Sequence, residues 1–127
     1  MLGYDLEADP ETLRLVLYWQ AVGEMETDYT VFVHLVGAEG LVAQGDAPPF
    51  SRACLTSLWQ AGDVWRDEHL IHVTDLSAAN APYTLSVGWY EPATGARLPA
   101  SSAQGIRLTE DRLSLCAFPT WPDGDCL

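Results

Sequence analysis

Apolar and polar residues alternate with a period of two through most of this chain, and that pattern limits its fold more than any other feature. Tyr83, Leu85, Val87 and Trp89 alternate with Thr84, Ser86, Gly88 and Tyr90. Leu13, Leu15, Leu17 and Trp19 fall on one face of residues 12–22, with Arg14 and Gln20 on the other. A period of two is the signature of a half-buried strand, because successive side chains leave a strand on opposite sides. The same reading gives strands at 29–36, 41–46 and 64–73, with short returns at 97–99 and 105–108. Turn signals separate them: Gly37-Ala38-Glu39-Gly40, Ala61-Gly62-Asp63 and Glu91-Pro92-Ala93-Thr94-Gly95. Pro48-Pro49 should end the strand before it, since proline has no N–H for the ladder. No helical period holds over three turns before residue 110. About seven or eight short strands predict an all-β fold, a two-sheet antiparallel β-sandwich of jelly-roll or immunoglobulin-like type. The expected sandwich spans residues 1–109. Residues 110–127 are expected to be a C-terminal extension packed on it or trailing from it, with 112–116 a strand or a docked tail.

Composition narrows the function classes. The 127 residues include 18 acidic and six basic ones, a net charge of −12. Nucleic acid is excluded as a partner, because phosphate binding needs a lysine- and arginine-rich surface, and anionic lipid surfaces would repel the chain likewise. The metal that such a surface would suit is Ca²⁺, which takes oxygen ligands. No Asp-x-Asp-x-Asp-Gly loop is present, so a solvated acidic surface is the expectation and no cofactor is assigned. No run approaches the ~20 apolar residues of a membrane span. Met1-Leu2-Gly3-Tyr4-Asp5 lacks the basic start and apolar stretch of a signal peptide. The chain as given is therefore expected to be soluble, with no direct membrane insertion.

No catalytic signature is found: no G-x-S-x-G elbow, no phosphate-cradling loop, no H-E-x-x-H. The chain is read as non-enzymatic. A thiol nucleophile at Cys54, near strands carrying His34 and His69, is outweighed by the frequency with which cysteine is simply buried. Cys116 and Cys126 bracket a short loop. A disulfide between them would staple the tail in an oxidising compartment, a free or buried thiol is the alternative, and either leaves an odd cysteine.

Two leads remain. On strand 64–73, Trp65, Asp67, His69, Ile71 and Val73 share a face that should point inward. A buried carboxylate needs partners, and His69, His34, Gln44 and Asp46 are the candidates. The structural reading is a polar network fixing strand register; the functional alternative is a metal or hydrolytic site at His34, Asp46, Asp67 and His69. The other lead is aromatic. Trp19 and Trp89 alternate with core positions and are expected there. Trp59, just before a turn, is the best candidate for an exposed ring that stacks on a sugar, with Gln44, Asp46 and Asp67 as polar partners.

Several strings together resemble a known domain. These are Leu15-Val16-Leu17-Tyr18-Trp19-Gln20-Ala21, Tyr29-Thr30-Val31-Phe32-Val33-His34-Leu35 and Ala43-Gln44-Gly45-Asp46-Ala47-Pro48-Pro49. Leu2-Gly3-Tyr4-Asp5, Thr56-Ser57-Leu58-Trp59-Gln60-Ala61-Gly62-Asp63-Val64 leading to Asp67, Tyr83-Thr84-Leu85, Val87-Gly88-Trp89-Tyr90 and Gly95-Ala96-Arg97-Leu98-Pro99 complete the set. Over residues 2–108 the chain resembles the C-terminal β-sandwich domain of bacterial, Chloroflexi-like membrane proteins similar to family 39 glycosyltransferases. The resemblance implies an accessory, non-catalytic domain outside the cytoplasm, touching a glycan or another protein. Any catalytic machinery would lie in a membrane portion that this chain lacks. Alternatively, the domain is a structural or protein-interaction module, which predicts an exposed apolar patch or an edge strand that pairs with another chain.

Overall fold

The computed structural model describes residues 1–45, 55–73, 76 and 80–126. Within them the alternating segments form eight strands: β1 (Gly3–Ala8), β2 (Thr12–Gln20), β3 (Thr30–Gly37), β4 (Gly40–Gln44), β5 (Val64–His72), β6 (Tyr83–Tyr90), β7 (Leu113–Thr120) and β8 (Asp123–Cys126). Two antiparallel sheets result, one in the order β1-β2-β5 and the other β4-β3-β6-β7-β8. The predicted all-β sandwich is what the chain adopts.

Parity of the sequence sets the core. Leu13, Leu15, Leu17 and Trp19 of β2 meet Val31, Val33 and Leu35 of β3, Leu85 and Val87 of β6, and Leu115 and Phe118 of β7 in one buried cluster. Each fully buried aliphatic side chain contributes roughly 1.5–3 kcal/mol. The Tyr4 hydroxyl crosses the sandwich and donates to the Leu115 carbonyl at 3.1 Å. Arg14 and Glu68, on the outer face of the smaller sheet, form a two-pronged ion pair whose exposure limits its worth. The β3–β4 turn falls where expected, with Gly40 at φ +120°, a backbone region closed to residues with a Cβ.

Two sequence expectations are corrected. Leu113–Thr120 is an integral strand of the larger sheet between β6 and β8, so residue 109 does not mark where the sandwich ends. The cause is long-range pairing: Leu85 aligns with Cys116 and Tyr83 with Phe118. The expected strands at 97–99 and 105–108 reduce to single bridges, Tyr90 with Arg97 and Ser101 with Arg107. Pro99 cannot continue a ladder, and a tight turn with Gly105 at its corner closes the segment.

The segment between β6 and β7 folds over the outer face of the larger sheet. Arg97 lies 4.4 Å from the centroid of the Phe32 ring and donates through Nη1 to the Glu110 carbonyl. A Cβ on Gly88 would fall 2.2 Å from Phe32 and 2.9 Å from the Asp111 carbonyl. Only glycine allows this approach.

The segment is latched by Asp111, which accepts a two-pronged pair from Arg107 at 2.8 and 2.7 Å and the Ala100 N–H at 3.1 Å. Glu110 and Asp111 adopt positive φ values of 56° and 51°, sparsely populated for residues with a Cβ. The Arg107 hydrogen bonds, aided by the Ala100 N–H, lower the Asp111 carboxyl to about 2. A lowered carboxyl stabilises the fold above its unfolded-state value, and that contribution is lost as pH falls through the folded one. We expect the Asp111 carboxyl carbon, followed by NMR, to titrate near pH 2 and to move up toward the ordinary carboxylate range in Arg107→Ala. An unchanged midpoint in that variant would refute the latch.

Candidate functional site

The β2–β3 connection and the segment before β5 build the end of the sandwich where β2 and β6 terminate. A 3-10 turn, Thr56–Leu58, is pinned there by polar contacts. Thr56 is fully buried; its hydroxyl donates to the Thr27 carbonyl at 2.7 Å and accepts the Tyr29 N–H at 2.9 Å. The Ser57 N–H donates to Asp28 at 2.9 Å, and hydrogen bonding from Ser57 holds the Asp28 carboxyl below its ordinary value.

That docking inverts the expectation for Trp59. The turn points Leu58 outward and Trp59 inward, leaving Trp59 3% exposed and Leu58 70% exposed. Trp59 stacks on Trp65 with centroids 5.4 Å apart and meets Trp89 edge-on at 6.0 Å and 90°. It is a core ring with no free face for a sugar. Its Nε1–H is buried and finds no acceptor among the described residues. Trp19 and Trp89 lie at the core as expected, packed edge to face at 4.8 Å and 66°.

Trp19, Trp59 and Trp89 wall a cavity of about 300 Å³, with Tyr29, Met25 and Glu24 completing the side facing the β2–β3 connection. Trp19 and Trp89 also wall a second cavity of about 520 Å³ beneath residues 99–103. The aromatic pair therefore stands between two concavities. Sequence reasoning placed Trp19 and Trp89 correctly but missed the site, because convergence of four rings depends on how two loops dock. The aromatic residues at the C-terminal ends of β2 and β6 were the available signal.

The predicted polar cluster divides. Asp67 is fully buried between the sheets and His69 nearly so. His69 Nε2 lies 2.7 Å from Asp67 Oδ2, and the Trp19 Nε1–H donates to the same oxygen at 3.2 Å. The inward face read for β5 is thus correct. His34 and Gln44 do not join it. They are register partners on β3 and β4, and His34 has the opposite parity to Val31, Val33 and Leu35, which face the core. His34 instead borders a concavity with Phe32, Tyr90 and Arg97 on the outer face, and Gln44 is exposed. Asp46 and Cys54 lie outside the described residues. Among the described residues no three His, Cys, Asp or Glu side chains group closely enough to hold a metal ion.

At the opposite end of the sandwich, Cys116 and Cys126 form a disulfide between β7 and β8. The Trp121 Nε1–H donates to the Asp9 carbonyl, closing the tail onto the β1–β2 turn. Among the described residues no helix is long and apolar enough to cross a membrane.

Fold and site define an acidic β-sandwich with an aromatic pocket at one end and a disulfide-closed hairpin at the other. No protein family, curated protein or solved structure matches the chain.

Proposed function

We propose that this chain is a non-catalytic binding module whose ligand seat is the pocket walled by Trp19, Trp59, Trp89 and Tyr29. The observation that carries the reading is the convergence of those four rings on one cavity. Small-ligand sites are concave, mostly apolar and set with a few polar groups, and about 300 Å³ lies at the low end of their range. The Asp67–His69 pair serves this seat indirectly: Asp67 fixes the Trp19 indole, and Trp19 supports Trp89.

The resemblance of residues 2–108 to the accessory sandwich of glycosyltransferase-like membrane proteins supports placing the module on the extracytoplasmic face of an envelope protein. A disulfide fits that placement, since disulfides persist in oxidising compartments. A glycan ligand would have to stack on Trp89 or Tyr29, the half-buried rings of the pocket, and not on Trp59.

Indole N–H resonances of the five tryptophans provide the test. Neutral mono- and oligosaccharides, organic ammonium ions and small alcohols would each be titrated to millimolar concentration. Saturable shifts at Trp19, Trp59 and Trp89, with Trp121 at the far end unmoved, are the expected result. If no compound shifts the three pocket indoles, the pocket is only a packing defect and the reading fails.

A further inference from the structure

The geometry points to a methylated ammonium group as the ligand of the aromatic pocket. This deepens the reading of the pocket as a ligand seat and depends on it. Three observations select the ligand class. The first is the arrangement of the rings. Trp59 and Trp19 pack against Trp89 at 90° and 66° and are nearly buried, so the half-buried rings of Trp89 and Tyr29 are the aromatic surface left to meet a ligand in the cavity. Aromatic faces carry negative potential, tryptophan's the most, and attract a cation set over them.

The second is charge. Among the described residues lining the cavity, Glu24 is the charged side chain and no lysine or arginine appears. The chain as a whole carries a net charge of −12. Anions are disfavoured at such a site, and cations are drawn to it.

The third is the scarcity of polar groups on the walls. A primary ammonium would bring three N–H donors to a cavity whose lining side chains offer acceptors at Gln20, Glu24 and Tyr29, and each donor left without a partner costs free energy. A pyranose brings a ring of hydroxyls with the same difficulty. A methylated ammonium spreads its charge over methyl groups that need no acceptor, so it can keep its charge and still bury apolar surface. The cavity of about 300 Å³ holds such a group whole, and Glu24, exposed beside it, supplies the counter-charge.

The test uses tetramethylammonium and choline as probes and 3,3-dimethyl-1-butanol as the neutral shape mimic of choline. Phosphatidylcholine vesicles form a further arm that distinguishes a lipid-borne headgroup from a free solute. We expect choline and tetramethylammonium to shift the Trp19, Trp59 and Trp89 indole resonances, and choline to bind roughly tenfold or more tightly than the neutral mimic. Glu24→Gln, a surface change that should not disturb folding, is expected to weaken choline by roughly threefold and to flatten its salt dependence. Trp89→Phe, which keeps a ring but a weaker one, should weaken it further while the remaining indole resonances keep their dispersion. Equal binding of choline and its neutral mimic would overturn the cation assignment and leave the pocket as an apolar seat. Binding of a saccharide with no response to either ammonium ion would overturn it in favour of sugar. Silence from every probe would remove the seat itself, and the proposed function with it.

Discussion

Replacing Asp67 with alanine should destabilise the domain by about 3–5 kcal/mol, measured as the loss in unfolding free energy from urea titrations. Asp67 is fully buried, and one of its oxygens serves both His69 Nε2, at 2.7 Å, and the Trp19 Nε1–H, at 3.2 Å. Truncation removes the acceptor and leaves two polar groups between the sheets with nothing to bond. Orphaned partners, and not the energy of the pair itself, make breaking a buried network costly. Asp67→Asn keeps one carbonyl acceptor in nearly the same volume and should lose only about 1–2 kcal/mol. Asp67→Leu combined with His69→Leu removes both members of the pair and should recover much of the loss, since well-packed apolar residues often replace buried ion pairs without penalty. Wild-type-like stability in Asp67→Ala would show that the pair holds nothing together. The Trp19 indole must also shift in that variant, because its Nε1–H donates to Asp67.

How far the site could be read from sequence depends on which interactions are set within a strand and which across strands. Parity on β5 placed Asp67 and His69 on one inward face, two residues apart, and they do bond to each other. Parity on β3 likewise put His34 with Thr30, Phe32 and Val36, but parity alone does not say which sheet a strand joins. His34 belongs to the larger sheet and faces away from the core, so it cannot reach the β5 pair. Trp19, the third member of the network, was hidden for a related reason. Register pairs Leu17 with Asp67 and Trp19 with Trp65, so the Trp19 indole reaches Asp67 diagonally across the strand pair, a relation visible only once β2 and β5 are known to be neighbours.

Trp59 is not an exposed platform, because proximity to a turn does not by itself expose a ring. What decides its fate is Thr56, whose hydroxyl ties the preceding turn to the β2–β3 connection and carries Trp59 inward. β7 was obscured by its own composition. Pro119 interrupts its last residues, and its alternation over Leu113, Ser114, Leu115 and Cys116 is short. Its place beside β6 is fixed by contacts with residues some 30 positions earlier in the chain, such as Leu85 with Cys116. Local pattern therefore established the strands and their faces, while loop docking and strand neighbourhood, both long-range, produced the aromatic pocket.

Reduction of the Cys116–Cys126 bond should lower unfolding free energy by about 3 kcal/mol, compared in urea with and without reductant in a Cys54→Ser background that prevents thiol reshuffling. The bond spans a sequence separation of 10, and closing a loop of that size removes conformational freedom chiefly from the unfolded chain. The loss should be felt unevenly. β8 is an edge strand of four residues whose sheet neighbour among the described residues is β7, so its amides should exchange with solvent far faster once the bond is open. The tail is also tethered by the Trp121 Nε1–H on the Asp9 carbonyl, with the Trp121 ring 4.8 Å from Phe118. Both belong to the end of the sandwich where β2 and β6 begin, whereas Trp19 and Trp89 lie where those strands finish. The Trp121 indole resonance should therefore broaden or shift on reduction while those of Trp19, Trp59 and Trp89 hold their positions. Cys126→Ser should reproduce reduction, because Cys126 is exposed and its sulfur contributes little packing. Cys116→Ser should cost more, because a hydroxyl would then replace a buried sulfur within the core. An unchanged urea midpoint on reduction would mean that β8 is held by its ladder and by Trp121 alone. Loss of the pocket indole signals together with that of Trp121 would mean that the two ends of the sandwich unfold as one unit.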